Sequence, residues 1–254
     1  MKSLLVKAAK RLAPKFGLQA TEASDPRNYF HAFFYLRHTG CRLEHLASLR
    51  LPVRGQRVLE VGAGIGDHSR YYRDRDCQIT ITEPREDNLA VLRRRFPDAD
   101  IRKHDLEAPG PELDNEKFDI THCYGTLYHL GNPAATLEYL AKLTRGMLLL
   151  ETCVSFGDGL EINIVPEKRE DPTQATSGSG CRPTRRWLFE QLKQSFPHVY
   201  VPVTQPNHPE FPTDWTQPDQ HAAPLSRAIF IASRTPLTND QLVTGLPSVQ
   251  ERHP

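Results

Sequence analysis

Three glycines at every second position, Gly62, Gly64 and Gly66, lie in the run VLEVGAGIGD from Val58 to Asp67. Glycine admits positive φ and carries no Cβ, so backbone leaving a strand here can close on a ligand, with the next helix's free N–H groups nearby. Dinucleotide-binding loops read GxGxxG, and the third glycine of that pattern would fall at Asp67, so the spacing argues against a nicotinamide cofactor. Acids stand in register with the loop. Glu60 precedes it, and Glu83 of TITEP ends the second strand. A carboxylate at the C-terminal end of a strand faces the crevice where open α/β sheets bind ligands. Further on, FDITHCYGTLYHLGNP (Phe118 to Pro133) sets Tyr128 beside His129. Imidazole titrates near working pH, so His129 is a candidate base; the alternative is a histidine that packs on a ligand or bonds a carbonyl. His122, inside the strand, reads as a satisfied core residue. Glu151, ending a fifth strand, could orient a substrate or a base.

The elements that position these residues alternate. Asp25 to Leu51 is helical, with Tyr29, Phe30, Phe33, Phe34 and Leu36 and then Leu43, Leu46, Ala47 and Leu49 at three-to-four-residue spacing, and Leu51-Pro52 ends it. Strands follow at Arg57 to Val61, Gln78 to Thr82, Ala99 to His104, Phe118 to Cys123 and Gly146 to Cys153. Helices over Gly66 to Arg73, Glu86 to Phe96 and Pro133 to Arg145 separate the first three strands and lead into the fifth. Such alternation implies right-handed crossovers and a mostly parallel sheet covered on both faces. Beyond Cys153, Asp171 to Gly180 (DPTQATSGSG) reads as a flexible loop. A helix over Thr184 to Phe196 and strands at His198 to Val203 and Arg227 to Ser233 complete the pattern. Six prolines from Pro202 to Pro224 punctuate the end of the first of these strands and the connection to the second. That connection carries His208, Phe211, Trp215 and His221; long connections of this kind tend to be binding loops, and the substrate wall is expected there.

The loop GxGxG preceded by Glu60 resembles motif I of the class I S-adenosylmethionine-dependent methyltransferases, and the later landmarks fall in order. Glu83 stands where that family's acid holds both ribose hydroxyls. His104-Asp105-Leu106 is similar to the adenine-contacting segment, in which the acid accepts from the amino group and the apolar neighbour packs on the ring. The segment at YHL resembles small-molecule and tRNA-modifying members, and MLLLET ends in Glu151-Thr152 as theirs does. The resemblance covers roughly Leu51 to Cys153. It implies an α/β, Rossmann-like class I methyltransferase fold: a mostly parallel seven-stranded sheet, helices on both faces and an N-terminal helical extension. It also implies S-adenosylmethionine as cofactor, held by Glu60, Gly62, Ala63, Gly64, Gly66, Glu83, Pro84, Asp105, Leu106, Cys123, Tyr124 and Tyr128. Methyl transfer needs alignment and removal of a proton rather than a metal, and no metal-binding motif is present; His129 and Glu151 are the catalytic candidates. Look-alikes that modify wobble uridine with a carboxylated cofactor need a cation for the extra carboxylate, and spacing identifies none.

The chain has 254 residues with 38% hydrophobic and 25% charged, which excludes a disordered polyampholyte and a membrane bundle. No run approaches the roughly 18 apolar residues of a spanning helix. With 32 basic against 31 acidic side chains, a nucleic-acid partner would need a local basic face. Arg93-Arg94-Arg95 and the helix start at Arg182, Arg185 and Arg186 offer two; cations disfavour a helix N-terminus, so the latter reads as an anion contact or as a solvated face. Five scattered cysteines without a CxxC pair suggest reduced thiols and a cytoplasmic protein. The basic start MKSLLVKAAKRLAPKFG has no secretory pattern and could contact an anionic membrane surface. The expected organisation is an N-terminal helical extension (1–51) whose Tyr29, Phe33 and Phe34 form a lid or core packing, a methyltransferase domain (52–235) and a tail (236–254). The expected acceptor is a small molecule or a glycan hydroxyl, on a monomer or homodimer. Rival readings are an RNA methyltransferase and a catalytically silent cofactor-binding scaffold.

Overall fold

The computed structural model describes residues 25–254 except 170, 172, 175 and 176; the basic start of the chain lies outside them. An eight-stranded sheet forms the centre, in the order β11-β8-β10-β5-β4-β1-β2-β3. Its parallel half comprises β1 (Arg57–Val61), β2 (Gln78–Glu83), β3 (Asp100–Lys103), β4 (Phe118–Tyr124) and β5 (Thr144–Val154). The other half is antiparallel: β8 (His198–Pro202), β10 (Ser226–Ser233) and β11 (Leu242–Val243). Chain order reverses between β1 and β4, which places the switch-point crevice over their C-terminal ends.

The sheet therefore has one strand more than the seven expected. Leu242–Val243 pairs with β8 because Leu242 is buried under that edge, while two residues are too few to announce a strand by alternation. Two small sheets decorate the body: β6 (Ile164–Pro166) with β7 (Ser179–Cys181), and β9 (Thr204–Gln205) with β12 (Glu251–Arg252). The loop expected at 171–180 thus ends in a strand that brings Gly180 and Cys181 under the main site.

The helices are α1 (Arg27–Phe30), α2 (Phe33–Ser48), α3 (Ser69–Arg73), α4 (Glu86–Arg95), α5 (Pro133–Leu143) and α6 (Arg185–Ser195). Asn132 caps α5 by accepting from the Ala135 amide, with Pro133 in the first turn, and Thr184 caps α6 by accepting from the Trp187 amide. The helix expected from Gly66 begins only at Ser69, because Asp67 turns aside to pair with Arg95 at 2.7 Å. One core cluster fills the sheet face under α5 and α6, around Phe118, Leu148 and Phe230. A second fills the opposite face, where Leu46 of α2 and Leu49 at its C-terminal cap meet Tyr72, Leu149 and Ile231. A third, Ile81, Leu89, Leu92 and Phe96, seats α4 on β2.

Candidate active site

A cleft of about 1120 Å³, counting the open space at its mouth, lies over the ends of β1, β2 and β4. Its floor is the glycine loop. Gly64 has φ +58°, and a Cβ there would come within 2.8 Å of the Phe30 ring, so bare backbone lets α1 close over the loop. Gly66 does different work from that expected. It does not line the cleft; a Cβ on it would lie 2.6 Å from Phe96 and 2.7 Å from Leu92, so this glycine lets α4 pack against the back of the loop.

Glu83 ends β2 as expected and faces the cleft. Its Oε2 accepts from the Gly64 amide at 2.8 Å, and its Oε1 from the Arg85 amide and the Asn88 side chain, both at 3.1 Å. One carboxylate thus ties the loop to the start of α4. Burial outweighs these donors and pushes its pKa up to about 7. Glu60 is pushed by burial further, to about 8, with Ser69 Oγ donating at 2.6 Å. Beside it, His68 Nδ1 and His122 Nε2 lie 3.1 Å apart, and Tyr72 hydroxyl is 2.8 Å from His122 Nδ1. His122 is a satisfied buried residue, as expected, but it also lines the cleft. The buried hydroxyl of Tyr124 has no hydrogen-bond partner among the described residues. Ala63, Gly62, Pro84, Asp105, Leu106 and Tyr128 line the cleft too. Cys123 does not: its side chain points into the core beneath β4 and burial pushes its thiol up to about 12.

On the far side, the turn Leu127–His129 after β4 presents His129. Its Nδ1 is 2.6 Å from Glu167 Oε2, and Arg182 Nη2 lies 3.7 Å from the other Glu167 oxygen. Burial lowers the imidazole's pKa and the Glu167 carboxylate raises it in part. Arg182 also donates to Tyr128 O at 3.0 Å. Glu151 stands behind this wall rather than in it. It is fully buried, with one oxygen 3.0 Å from Arg42 and the other 3.0 Å from Arg227. Burial would raise its pKa, but the two guanidiniums hold it below the ordinary carboxylate value. Arg227 also donates to Glu210 at 2.6 Å and to the Tyr128 hydroxyl at 3.3 Å.

Arg42 and Arg227 line the cleft and were not singled out from the sequence. Their signal was present: His38, Arg42 and His45 recur on the buried stripe of α2, and Arg227 opens an otherwise apolar strand. The lid is built from Phe30, Tyr35, His38 and Thr39. Tyr29, Phe33 and Phe34 neither close the cleft nor fill the core; Phe33 is 83% exposed because it projects from the other side of the helix. The arginines at the start of α6 form no solvated face. Arg185 is buried on the Trp215 ring and bonds Pro247 O, and Arg182 braces the cleft wall; only Arg186 is exposed. In the Pro-rich connection, His208, Glu210 and Phe211 back the cleft behind His38.

Among the described residues two buried trios bring possible metal-ligand atoms within 4.8 Å: His38 with His208 and Glu210, and Glu60 with His68 and His122. In the first, Arg227 already neutralises Glu210, and with burial the fields of Arg42 and Arg227 keep His38 uncharged. In the second, the imidazoles bond each other and Tyr72.

A mostly parallel sheet reversing at β1/β4, with a glycine loop after β1 and an acid at the end of β2, is a Rossmann-like fold of the class I methyltransferase type. Residues 59–146 match the family described as a methyltransferase domain. The chain is 37% identical over 118 residues to a tRNA U34 carboxymethyltransferase of Chromohalobacter salexigens, covering 42% of this chain and 35% of that one. It is 26% identical over 134 residues to a ubiquinone biosynthesis O-methyltransferase of Bordetella avium, covering 52% and 55%. The chain thus spans between about a third and about a half of the length of these curated relatives. Among solved structures, the N-terminal domain of EvdMO1 with S-adenosylhomocysteine bound superposes with a TM-score of 0.57 at 20% identity, covering 77% of this chain and 80% of that one. Among the described residues no helix is long and apolar enough to cross a membrane.

Proposed function

We propose that the protein binds S-adenosylmethionine in this cleft and methylates a hydroxyl of a small-molecule or glycan acceptor, with His129 as the base. The residues present suit the cofactor. Glu83 offers a carboxylate to a ribose diol, Asp105 can accept from the adenine amino group with Leu106 against the ring, and backbone at Gly62 and Gly64 leaves room for the amino-acid end. Five acids (Glu60, Asp67, Glu83, Asp105, Glu107) and three guanidiniums (Arg42, Arg85, Arg227) line the cleft; burial pushes the pKa values of Glu60 and Glu83 up to about 8 and about 7, and a cationic ligand would favour their ionised forms. S-adenosylmethionine held by these residues would supply an electrophilic methyl group with a neutral thioether as its leaving group.

The chain's own part is alignment and proton removal. His129 carries the reading. Its Nδ1 is engaged by Glu167, while Nε2 has no hydrogen bond among the described residues, and the ring lines the cleft next to Tyr128. Burial keeps the imidazole neutral and able to take the hydroxyl proton on Nε2. The acidic lining also favours a small acceptor over a polyphosphate chain, so methylation should depend weakly on salt; a slope of several logarithmic units would point to RNA. Isothermal titration with S-adenosylmethionine and S-adenosylhomocysteine tests the cofactor. Saturable heat from both is expected, and no heat together with no thermal stabilisation from either would refute the proposal. Labelled methyl donor and fractionated cell extract would then show which pool becomes methylated.

A further inference from the structure

Glu167 belongs to none of the motifs that announce the fold. It sits on the 164–181 hairpin, 38 residues beyond His129, yet its carboxylate Oε2 is 2.6 Å from His129 Nδ1 and only 4% of the side chain is exposed. Its second oxygen faces Arg182 Nη2 at 3.7 Å, and Arg182 is fixed in turn by Tyr128 O and by the Tyr128 ring, 5.0 Å away. The hairpin's approach is close: a Cβ on Gly180 would fall 2.5 Å from Tyr128 O and 2.6 Å from Glu167. From these contacts we infer that Glu167 is the positioning residue of a His129–Glu167 pair, and that Arg182 holds the carboxylate in place.

The inference rests on the reading of His129 as the proton acceptor and adds to it the tautomer. A carboxylate accepts only, so Nδ1 carries the hydrogen and Nε2 presents its lone pair to the cleft. When the acceptor hydroxyl gives its proton to Nε2, the ring becomes an imidazolium between Nε2–H and Nδ1–H, and the carboxylate 2.6 Å away stabilises that charge; the proton leaves afterwards to solvent. Other charged or titratable groups near the ring are Tyr128, whose centroid is 3.9 Å away, Arg227 on the Tyr128 hydroxyl, Cys181 under Leu127, and Glu107 on the Gly131 amide. The two arginines oppose protonation of His129, leaving Glu167 as its nearest anionic support.

Nitrogen-15 NMR of the imidazoles, with His129 assigned by its absence in His129→Gln, reads this without turnover. The Nδ1–H tautomer is expected in the wild type. In Glu167→Gln, the same shape without the charge, the His129 pKa should fall by about one unit or more. Unchanged S-adenosylhomocysteine affinity and melting temperature in that variant would show the site intact. Methyl transfer into the labelled extract pool should fall about tenfold to a hundredfold in Glu167→Gln, partly recover in Glu167→Asp, and show no further loss when Glu167→Gln is added to His129→Gln. An Nε2–H tautomer in the wild type, an unmoved pKa, or an equal loss in both backgrounds would overturn the pair. If the pair's NMR signature is present but S-adenosylhomocysteine does not bind, the methyl-transfer reading falls instead.

Discussion

The two walls of the cleft are built by different rules. On the cofactor side, Gly62, Gly64 and Glu83 sit within about one βαβ unit, so the backbone that forms the strands also delivers the groups. On the proposed acceptor side, the contacts span the chain: Arg42 meets Glu151 across 109 positions and Arg227 meets Glu151 across 76. The first wall is held by backbone geometry, the second by ion pairs with almost no access to water. A wall made from loop conformation tolerates loss of one side chain at the expense of ligand affinity. A wall made from buried charges should fail as structure.

The largest effect should therefore come from Arg227→Met. It strips a partner from both Glu151 and Glu210, which are 0% and 3% exposed. Removing one member of a buried pair leaves an uncompensated charge and costs about 3–5 kcal/mol. Urea unfolding should show the unfolding free energy lowered by that amount, partly restored by adding Glu210→Gln. A variant as stable as the wild type would mean that the network is dispensable, and the contrast between the walls would disappear. Glu83→Gln should behave in the opposite way, with a small stability change and a loss of S-adenosylhomocysteine affinity on the order of 1.5–3 kcal/mol, the range for a hydrogen bond to a charged group.

That contrast also explains what could be read from the chain beforehand. The GxGxG spacing, the acid of TITEP and the LYHL turn are local, and each keeps its meaning when the fold forms around it. Motif membership puts Gly66 and Cys123 at the ligand, but it does not say which side of a strand or loop a residue faces. Glu151 joins them because the end of a strand is a good address for a ligand. Its two arginines, one on an N-terminal helix and one on the penultimate sheet strand, are invisible at that range. Glu167 lay in a polar stretch with no period, so only the pairing of β6 with β7 reveals it.

A middle-sized effect separates the walls by pH. Glu60 and Glu83 ionise at about 8 and about 7 in the fold, above the ordinary 4.5, because burial disfavours their charge. The folded state then holds more protons than the unfolded chain between about pH 4.5 and 8. Stability from these groups is complete at the acid end and is lost as pH rises through the folded values, at up to about 1.4 kcal/mol per pH unit for each group. His45, lowered to about 4 by burial, acts in the opposite sense but only below its ordinary value of 6.5, so the window above pH 6.5 belongs to the two glutamates. The ligand-free protein should lose melting temperature between pH 6.5 and 8, and Glu60→Gln should flatten the slope. A cationic ligand favours the ionised carboxylates, so S-adenosylmethionine should flatten it as well. A melting temperature that rises over this interval would show that the glutamates are already compensated.

The smallest effect tests where the walls meet. Phe30 and Phe33 are three positions apart in neighbouring helices, and both are large and apolar. Phe30 lines the cleft, and its ring lies where a Cβ on Gly64 would need to be, so it packs directly on the glycine loop. Phe33 is 83% exposed and lines nothing. Phe33→Ala should change stability by less than about 0.5 kcal/mol, as exposed substitutions do. Phe30→Ala should weaken S-adenosylhomocysteine binding by about 1 kcal/mol while leaving the unfolding midpoint close to wild type, since partial burial of one ring at roughly 25 cal/mol per Å² stabilises the fold modestly. Titration and urea unfolding of both variants decide it. Equal affinities in the two would mean that the loop holds its ligand without the lid, and that the acceptor wall begins at Tyr35 rather than at Phe30.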